Sequence, residues 1–229
     1  MKNFSDLEQF RRLANTGQRW GCVTLAQHGD DLMLINLCEL LGLETPSYLD
    51  LGAHHPFTLS NTALLYERGS RGVNIEANET LMAAFKLYRP EDKNICIGVG
   101  TVKGGMPFYM FGEQSGINSF SKDHAFVHLA HLEVRKTVVL DVMPINDIVR
   151  NYCEGKWPDI LLSDIEGMDF EVLQAADFSK SKPRIIVVEV RRGDSAHFKS
   201  LLADRGYICY CRMGENLFFI QEADGYLVY

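Results

Sequence analysis

Four acidic side chains close short apolar runs in this 229-residue chain, each where a strand would end. Asp50 follows Tyr48-Leu49, Glu76 closes Gly72-Val-Asn-Ile-Glu, Asp164 closes Ile160-Leu-Leu-Ser-Asp, and Glu189 closes Arg184-Ile-Ile-Val-Val-Glu. In an open α/β sheet, ligands bind outside the carboxyl ends of the strands, so these carboxylates mark the binding edge. Gly52 lets the backbone approach a ligand closely, and Glu76, ending the adjacent strand, can accept hydrogen bonds from both hydroxyls of a ribose. Such a nucleoside pocket lacks the G-x-G-x-x-G loop of a dinucleotide site, and His54-His55-Pro56 would crowd a pyrophosphate. Asp50 would repel phosphate and suits a ligand carrying positive charge. S-adenosylmethionine has a ribose, an ammonium and a sulfonium, and no phosphate. A glycine turn and an acid by themselves also describe an ordinary strand-to-helix turn with a solvated Glu; the other strand ends decide against that.

The elements that must position these residues alternate. Ser5 with Glu8 has the capping-box spacing, and Leu7, Phe10, Leu13 and Ala14 follow at helical intervals, so a short amphipathic helix opens the chain. Residues 30–41 predict a second helix, apolar over most of its circumference and ended by Gly42, packed on something large. From residue 47 a strand is followed by a helix over 60–68, a strand over 72–76, and a helix capped by Asn78 and stopped by Arg89-Pro90. Further strands fit 94–99, 160–164, 184–190, 207–211 and 217–221, the last two antiparallel because their connection is too short for a crossover. The expected fold class is α/β, a mostly parallel sheet with helices on both faces. Residues 1–45 form a helical extension packed on the core, and 46–229 the main domain. Residues 101–136, rich in Gly, Ser and aromatics, break the pattern and predict an insertion or lid. Its aromatic stretch could cover an acceptor or form a contact in a homo-oligomer. Cys209 and Cys211 should share one face of their strand.

Several segments are specific in combination: Tyr48-Leu-Asp-Leu-Gly-Ala-His-His-Pro56, Ser60-Asn-Thr62, Gly72-Val-Asn-Ile-Glu-Ala-Asn78, Arg89-Pro90, and Leu162-Ser-Asp-Ile-Glu-Gly-Met-Asp-Phe-Glu-Val-Leu173. With Gln27-His-Gly-Asp-Asp-Leu32 upstream, the chain resembles the FkbM-type S-adenosylmethionine-dependent methyltransferases. The resemblance implies a seven-stranded Rossmann-like sheet with an antiparallel last strand, and methyl transfer to oxygen on sugars or related metabolites, polysaccharide precursors included. It implies that Asp50, Gly52 and Ala53 lie by the methionine part of the cofactor, Glu76 and Ala77 by the ribose, and Asn78 and the Ile97-Gly98 turn by the adenine. Gln27 and Asp31 would reach the methionine end. His54-His55-Pro56 stands where the broader family has Asn-x-Gly, which alters the loop.

Methyl transfer to an alcohol requires in-line alignment and a way to remove the hydroxyl proton. Asp164 and Glu189, ending neighbouring strands, could converge as hard oxygen ligands for Mg²⁺ or Mn²⁺. Alternatively Asp164 acts alone as the base, or His55 does, with His54 touching the acceptor. Glu166 fits either catalysis or a favourable acid at a helix N-terminus. His124, His128 and His131 are spaced to form one polar helix face, from which His128 could contact the acceptor. Arg191 and Arg192 would suit an anionic acceptor such as a sugar nucleotide.

The composition fits this reading. With 46% apolar and 23% charged residues, the chain is globular, and its net charge of −7 argues against nucleic acid as a partner. The most apolar stretch, Leu32 to Leu43, contains Glu39 and falls short of the roughly 20 residues of a membrane span. No secretory leader is apparent and the six cysteines have no metal-site spacing, as in a cytoplasmic protein with reduced thiols. Two rival functions remain: an NAD(P)-dependent oxidoreductase, disfavoured by the missing glycines and the lack of a Tyr-x-x-x-Lys pair, and a non-catalytic methyltransferase-fold binding protein, disfavoured by four intact strand-end carboxylates.

Overall fold

The computed structural model describes residues 23–128, 132–191 and 193–227. The expected helix around Leu7 to Ala14, together with His131 and Arg192, lies outside the described residues. In chain order the elements are α1 (Asp30–Leu40), β1 (Tyr48–Leu51), α2 (Ala63–Glu67), β2 (Gly72–Glu76), α3 (Glu79–Tyr88), β3 (Lys93–Cys96), β4 (Gly98–Gly100), β5 (Gly104–Met110) and α4 (Lys122–His128). There follow β6 (Lys136–Pro144), α5 (Ile145–Tyr152), β7 (Ile160–Ser163), α6 (Asp169–Ala175), β8 (Ile185–Glu189), α7 (Ser195–Ala203), β9 (Tyr207–Met213), β10 (Asn216–Gln221) and a 3₁₀ turn at Glu222–Leu227.

Seven strands form one sheet in the order β3-β2-β1-β7-β8-β10-β9. The β3-β2-β1-β7-β8 run is parallel, and β10 is antiparallel to both of its neighbours. The expected fold class is therefore what the chain adopts. Strand side chains alternate between faces, and here both faces are apolar, as a sheet covered on both sides requires. Leu49, Leu51, Leu161, Ile186, Val188, Leu217 and Phe219 pack on one side with Ile148 of α5, Val172 and Leu173 of α6, and Leu202 of α7. Tyr48, Ile160, Leu162, Ile185, Val187, Phe218 and Ile220 pack on the other with Leu34, Leu37 and Cys38 of α1 and Leu65 of α2. Each fully buried Leu, Ile or Val contributes about 1.5–3 kcal/mol, so the central strands hold the site edge rigidly. Among the described residues no helix is long and apolar enough to cross a membrane.

Four expectations about the elements change. The helix expected over 60–68 forms only at Ala63–Glu67, because the chain from 56 to 62 is spent in turns over the sheet edge. The strand expected over 94–99 is two: at Ile97, whose N–H donates to the Glu76 carbonyl, the chain leaves the main sheet. The segment 101–136, expected as an insertion or lid with no elements assigned, contains β5 and α4. Its β5 pairs antiparallel with β6, which also pairs parallel with β4, making a second, three-stranded sheet; β6 and α5 have no counterpart among the elements expected from sequence. Finally, Cys209 and Cys211 face opposite ways. A register shift sets Cys211 opposite Phe218 and Cys209 opposite Phe219, so the extra residue, Tyr210, breaks the alternation. Cys209 then joins one core face and Cys211 the other.

Candidate active site

The carboxyl ends of β1, β2 and β7 meet at a cleft roofed by the second sheet. Gly52 turns the chain out of β1 with φ +78°, and its N–H donates to the Ile75 carbonyl. A Cβ here would lie 1.8 Å from the Asp164 carbonyl oxygen, so only glycine lets the β1 turn and the β7 end come this close. On the β2 side, the Glu76 carboxylate is oriented by two backbone donors, His54 N to Oε2 at 3.0 Å and Asn78 N to Oε1 at 2.7 Å. A carboxylate has about four lone-pair sites, so each oxygen can still accept a ribose hydroxyl. Burial pushes Glu76 up to about 7, against the pull of those two amides. Asp50 accepts the Thr62 hydroxyl at 2.8 Å, and burial raises it to about 6. Gly98 leaves room for the Phe120 ring, 2.4 Å from where a Cβ would be, and both line the cleft. The loop after β5 closes over the β2 side: Asn78, whose Oδ1 caps α3, donates through Nδ2 to the Glu113 carbonyl, and His54 Nε2 lies 3.4 Å from the Gln114 carbonyl.

Across the cleft the acids face one another. Asp164, Glu166 and Glu189 each offer a carboxylate oxygen, all within 4.8 Å of one another. Asp164 is held well above the usual carboxylate range by burial and by the charges of Glu189 and Glu166, and its Oδ1 is buried without a hydrogen-bond partner. Burial, then the neighbouring acids, pushes Glu189 up to about 8; Glu166 reaches about 8 through burial and Asp169. Asp169 orders the loop leading to them, accepting from Ser163 Oγ at 2.6 Å and from the amides of Ile165 and Gly167. Glu166 itself is a non-glycine residue at φ +56°. The second sheet's connection holds it there: Ser119 Oγ donates to the Glu166 carbonyl at 2.6 Å, and His124 Nε2 sits 2.7 Å from Oε2. Arg191 meets His124 Nδ1. A guanidinium can only donate, so Nδ1 accepts and the imidazole proton sits on Nε2, facing Glu166. Burial and the Arg191 charge lower His124 to about 4, keeping it neutral.

The sequence-derived residues divide accordingly. Gln27, Asp50, Gly52, Ala53, His54, Glu76, Ala77, Gly98 and Asp164 line the cleft, joined by Glu166. Asp31 instead points into the chain before α1, accepting the Thr24 hydroxyl and the Leu25 and Ala26 amides. Asn78 caps α3 and holds the loop at Glu113. His55 uses Nδ1 to accept the Phe57 and Thr58 amides, which spends that nitrogen on the turn. Arg191 faces His124, and the side chain of His128 lies outside the described residues. Sequence reasoning misses Ser119 and Asp169. Asp169 carries a signal, an acid just inside the start of α6, whereas Ser119 acts only through the tertiary fold.

The donor set fits the cofactor expected from the sequence. Among the described residues lining the cleft, none is Lys or Arg, while Asp50 and Glu76 are both present, so the cleft suits a nucleoside bearing positive charge. Residues 50–209 match the FkbM methyltransferase domain. No curated protein matches the chain significantly. Two solved structures share a distant overall likeness, each at 14% identity: a candidate RNA methyltransferase from Pyrococcus horikoshii (TM-score 0.44, covering 94% of this chain and 97% of that one) and precorrin-6y C5,15-methyltransferase from Geobacter metallireducens (TM-score 0.41, covering 90% and 94%). The family match spans most of the chain and includes every strand-end carboxylate described above, and the chain belongs to the FkbM methyltransferase family.

Proposed function

We propose that the chain is an S-adenosylmethionine-dependent O-methyltransferase acting on a hydroxyl of a sugar, sugar nucleotide or related small metabolite. The observation that carries this reading is the half-buried Asp164, whose Oδ1 is buried and unpartnered and which lines the same cleft as Glu76 and Asp50. Bound S-adenosylmethionine supplies an electrophilic methyl group. Glu76 would bind its ribose, and Asp50 would face its cationic end. Asp164 would take the proton of the acceptor hydroxyl as the new C–O bond forms, a role worth about 10²–10⁴-fold in rate. Glu166 and Glu189 keep its affinity for a proton high by charge repulsion.

The same three carboxylates fit a hard divalent cation, Mg²⁺ or Mn²⁺, which would supply Lewis-acid activation of the hydroxyl. Arg191 is engaged by His124 and no cation lines the cleft among the described residues, which favours a neutral polyhydroxy acceptor, or a sugar nucleotide whose phosphates stay outside.

Thermal unfolding with S-adenosylhomocysteine, NAD and Mg²⁺ in separate wells tests the reading. Ligand at 100 times its Kd stabilises by about 2.7 kcal/mol, which raises the melting temperature by several degrees at this size. Stabilisation by S-adenosylhomocysteine, followed by methylation of a sugar or polyol panel, is expected. Stabilisation by NAD alone would sink the proposal.

A further inference from the structure

Arg89 lies beneath the cleft, outside its lining, and its side chain is fully buried. Its guanidinium spends each edge on a defined acceptor. Nε donates to Asp92 Oδ2 at 2.9 Å, Nη2 to the Tyr48 hydroxyl at 2.6 Å, and Nη1 to Thr62 Oγ1 at 3.1 Å. Asp92 neutralises the charge, and its carboxylate also accepts from Tyr48, the Gly72 amide and Asn74. A guanidinium cannot accept, so Thr62 must use Oγ1 as acceptor toward Arg89. The single Thr62 proton is then committed to Asp50 Oδ2, 2.8 Å away. Hydrogen bonds therefore run one way, from Arg89 through Thr62 to the strand-end carboxylate.

We propose that Arg89, acting through Thr62, is a positioning residue for cofactor binding: it fixes the Thr62 hydroxyl as a donor that orients Asp50 and favours its ionised form. The proposal rests on the reading of Asp50 as the group that faces the cationic end of the cofactor. The charged groups acting on Asp50 are Arg89, which favours its ionisation, and the acids Asp92 and Glu76, which oppose it. Burial opposes ionisation too, so the Thr62 donor is the nearest group on the favourable side. A purely scaffolding role would tie Arg89 to Asp92 and Tyr48, and would not need the third edge to end on the hydroxyl that donates to Asp50 of the cleft.

The test is calorimetric binding of S-adenosylhomocysteine from pH 5.5 to 8 to the wild type, Thr62→Val and Thr62→Ser, each first shown to be folded by its melting curve. Wild-type affinity should fall in two steps, below about pH 7 as Glu76 protonates and again below about pH 6 as Asp50 does, and the second step is the one the variants should move. Thr62→Val should bind about fivefold to eightfold more weakly between pH 5.5 and 6 and about twofold more weakly at pH 7, with the Asp50 midpoint displaced to higher pH and the gap closing at pH 8, since a tenfold gain in the proton affinity of Asp50 lowers its ionised fraction up to tenfold at the acid end. Thr62→Ser, which keeps the hydroxyl, should restore the wild-type profile. A wild-type profile in Thr62→Val overturns the proposal, as does a loss that is uniform with pH and not rescued by Ser. Should Thr62→Val fail to fold, Arg89→Lys keeps a charge beside Asp92 but cannot span three acceptors; it should displace the midpoint in the same direction, and an unmoved midpoint overturns the proposal. Absence of binding by the wild type at every pH overturns the cofactor reading itself, and this proposal with it.

Discussion

At the β1–β2 end of the site, Asp50 and Glu76 are buried acids set among donors: Thr62 for one, two backbone amides for the other. At the β7–β8 end, Asp164, Glu166 and Glu189 are acids set among acids, within 4.8 Å of one another, with Asp164 Oδ1 lacking any partner. Burial lifts all five above the ordinary carboxylate range. In the first region fixed donors oppose that lift, so the carboxylates are aimed before any ligand arrives, as a binding surface should be. In the second, mutual repulsion adds to it, so the cluster favours bound protons. On the proposed reading, the same residue type binds on one side and moves charge on the other.

The largest effect should come from collapsing that division at its junction. In Gly52→Ala the new Cβ would sit 1.8 Å from the Asp164 carbonyl, at a backbone φ of +78° that L-residues avoid. Both regions should fail together, with loss of S-adenosylhomocysteine binding, loss of turnover and a melting temperature lowered by several degrees. Asp164→Asn should separate them: turnover falls about 10²–10⁴-fold while S-adenosylhomocysteine affinity stays within about twofold. Glu76→Gln should do the reverse, weakening affinity about tenfold or more through lost charge-assisted bonds, with a smaller change in kcat at saturating cofactor. If Asp164→Asn weakens binding as much as Glu76→Gln does, the two regions are one.

A smaller, pH-dependent effect comes from the acid cluster. Its native pKa values lie above the ordinary unfolded ones, so between about pH 4.5 and 8 the native state binds more protons than the unfolded state. Stability should be fully retained below that window, decline as pH rises through it, and level off above. Melting curves from pH 5 to 8.5 should show that decline, Glu166→Gln should flatten it, and Mg²⁺ or Mn²⁺ should offset it if the cluster takes a cation.

How much of this is legible in sequence follows the same division. Gly72–Glu76 and the Asn78 cap are readable because glycine and asparagine punctuate the strand and helix on either side. The donors of Glu76 are amides of its own and the adjacent turn, so a strand-end acid after a glycine turn is nearly sufficient to find it. The other region depends on contacts between distant segments. Residues 136–144 include Thr137-Val-Val-Leu, a run with strand character, but residues 122–135 before them hold no Gly or Pro to mark where the strand begins. Without β6 there is no second sheet, and without that sheet nothing places Ser119 or His124 against Glu166. The sheet change at Ile97 is likewise set by what packs on Gly98, the Phe120 ring and Val142, and not by local propensity.

The smallest expected effect tests whether the second sheet serves only the acid cluster. Ser119 Oγ donates to the Glu166 carbonyl at 2.6 Å and accepts the Ser121 amide at 2.8 Å. It thereby helps hold Glu166 at a φ of +56° that a glutamate does not choose unaided. Ser119→Ala removes both bonds at a cost of about 0.5–1.5 kcal/mol each at most, hence a melting temperature lower by a few degrees. Because the cluster works through separations of a few ångströms, a relaxed Glu166 should lower kcat about threefold to tenfold through misplacement alone. S-adenosylhomocysteine affinity should be untouched, since the bonds that tie this segment to the cofactor side, Asn78 to Glu113 and His54 to Gln114, lie in the preceding loop. If affinity falls instead, the segment from 111 to 121 moves as one body, and the second sheet couples the binding carboxylates to the catalytic ones.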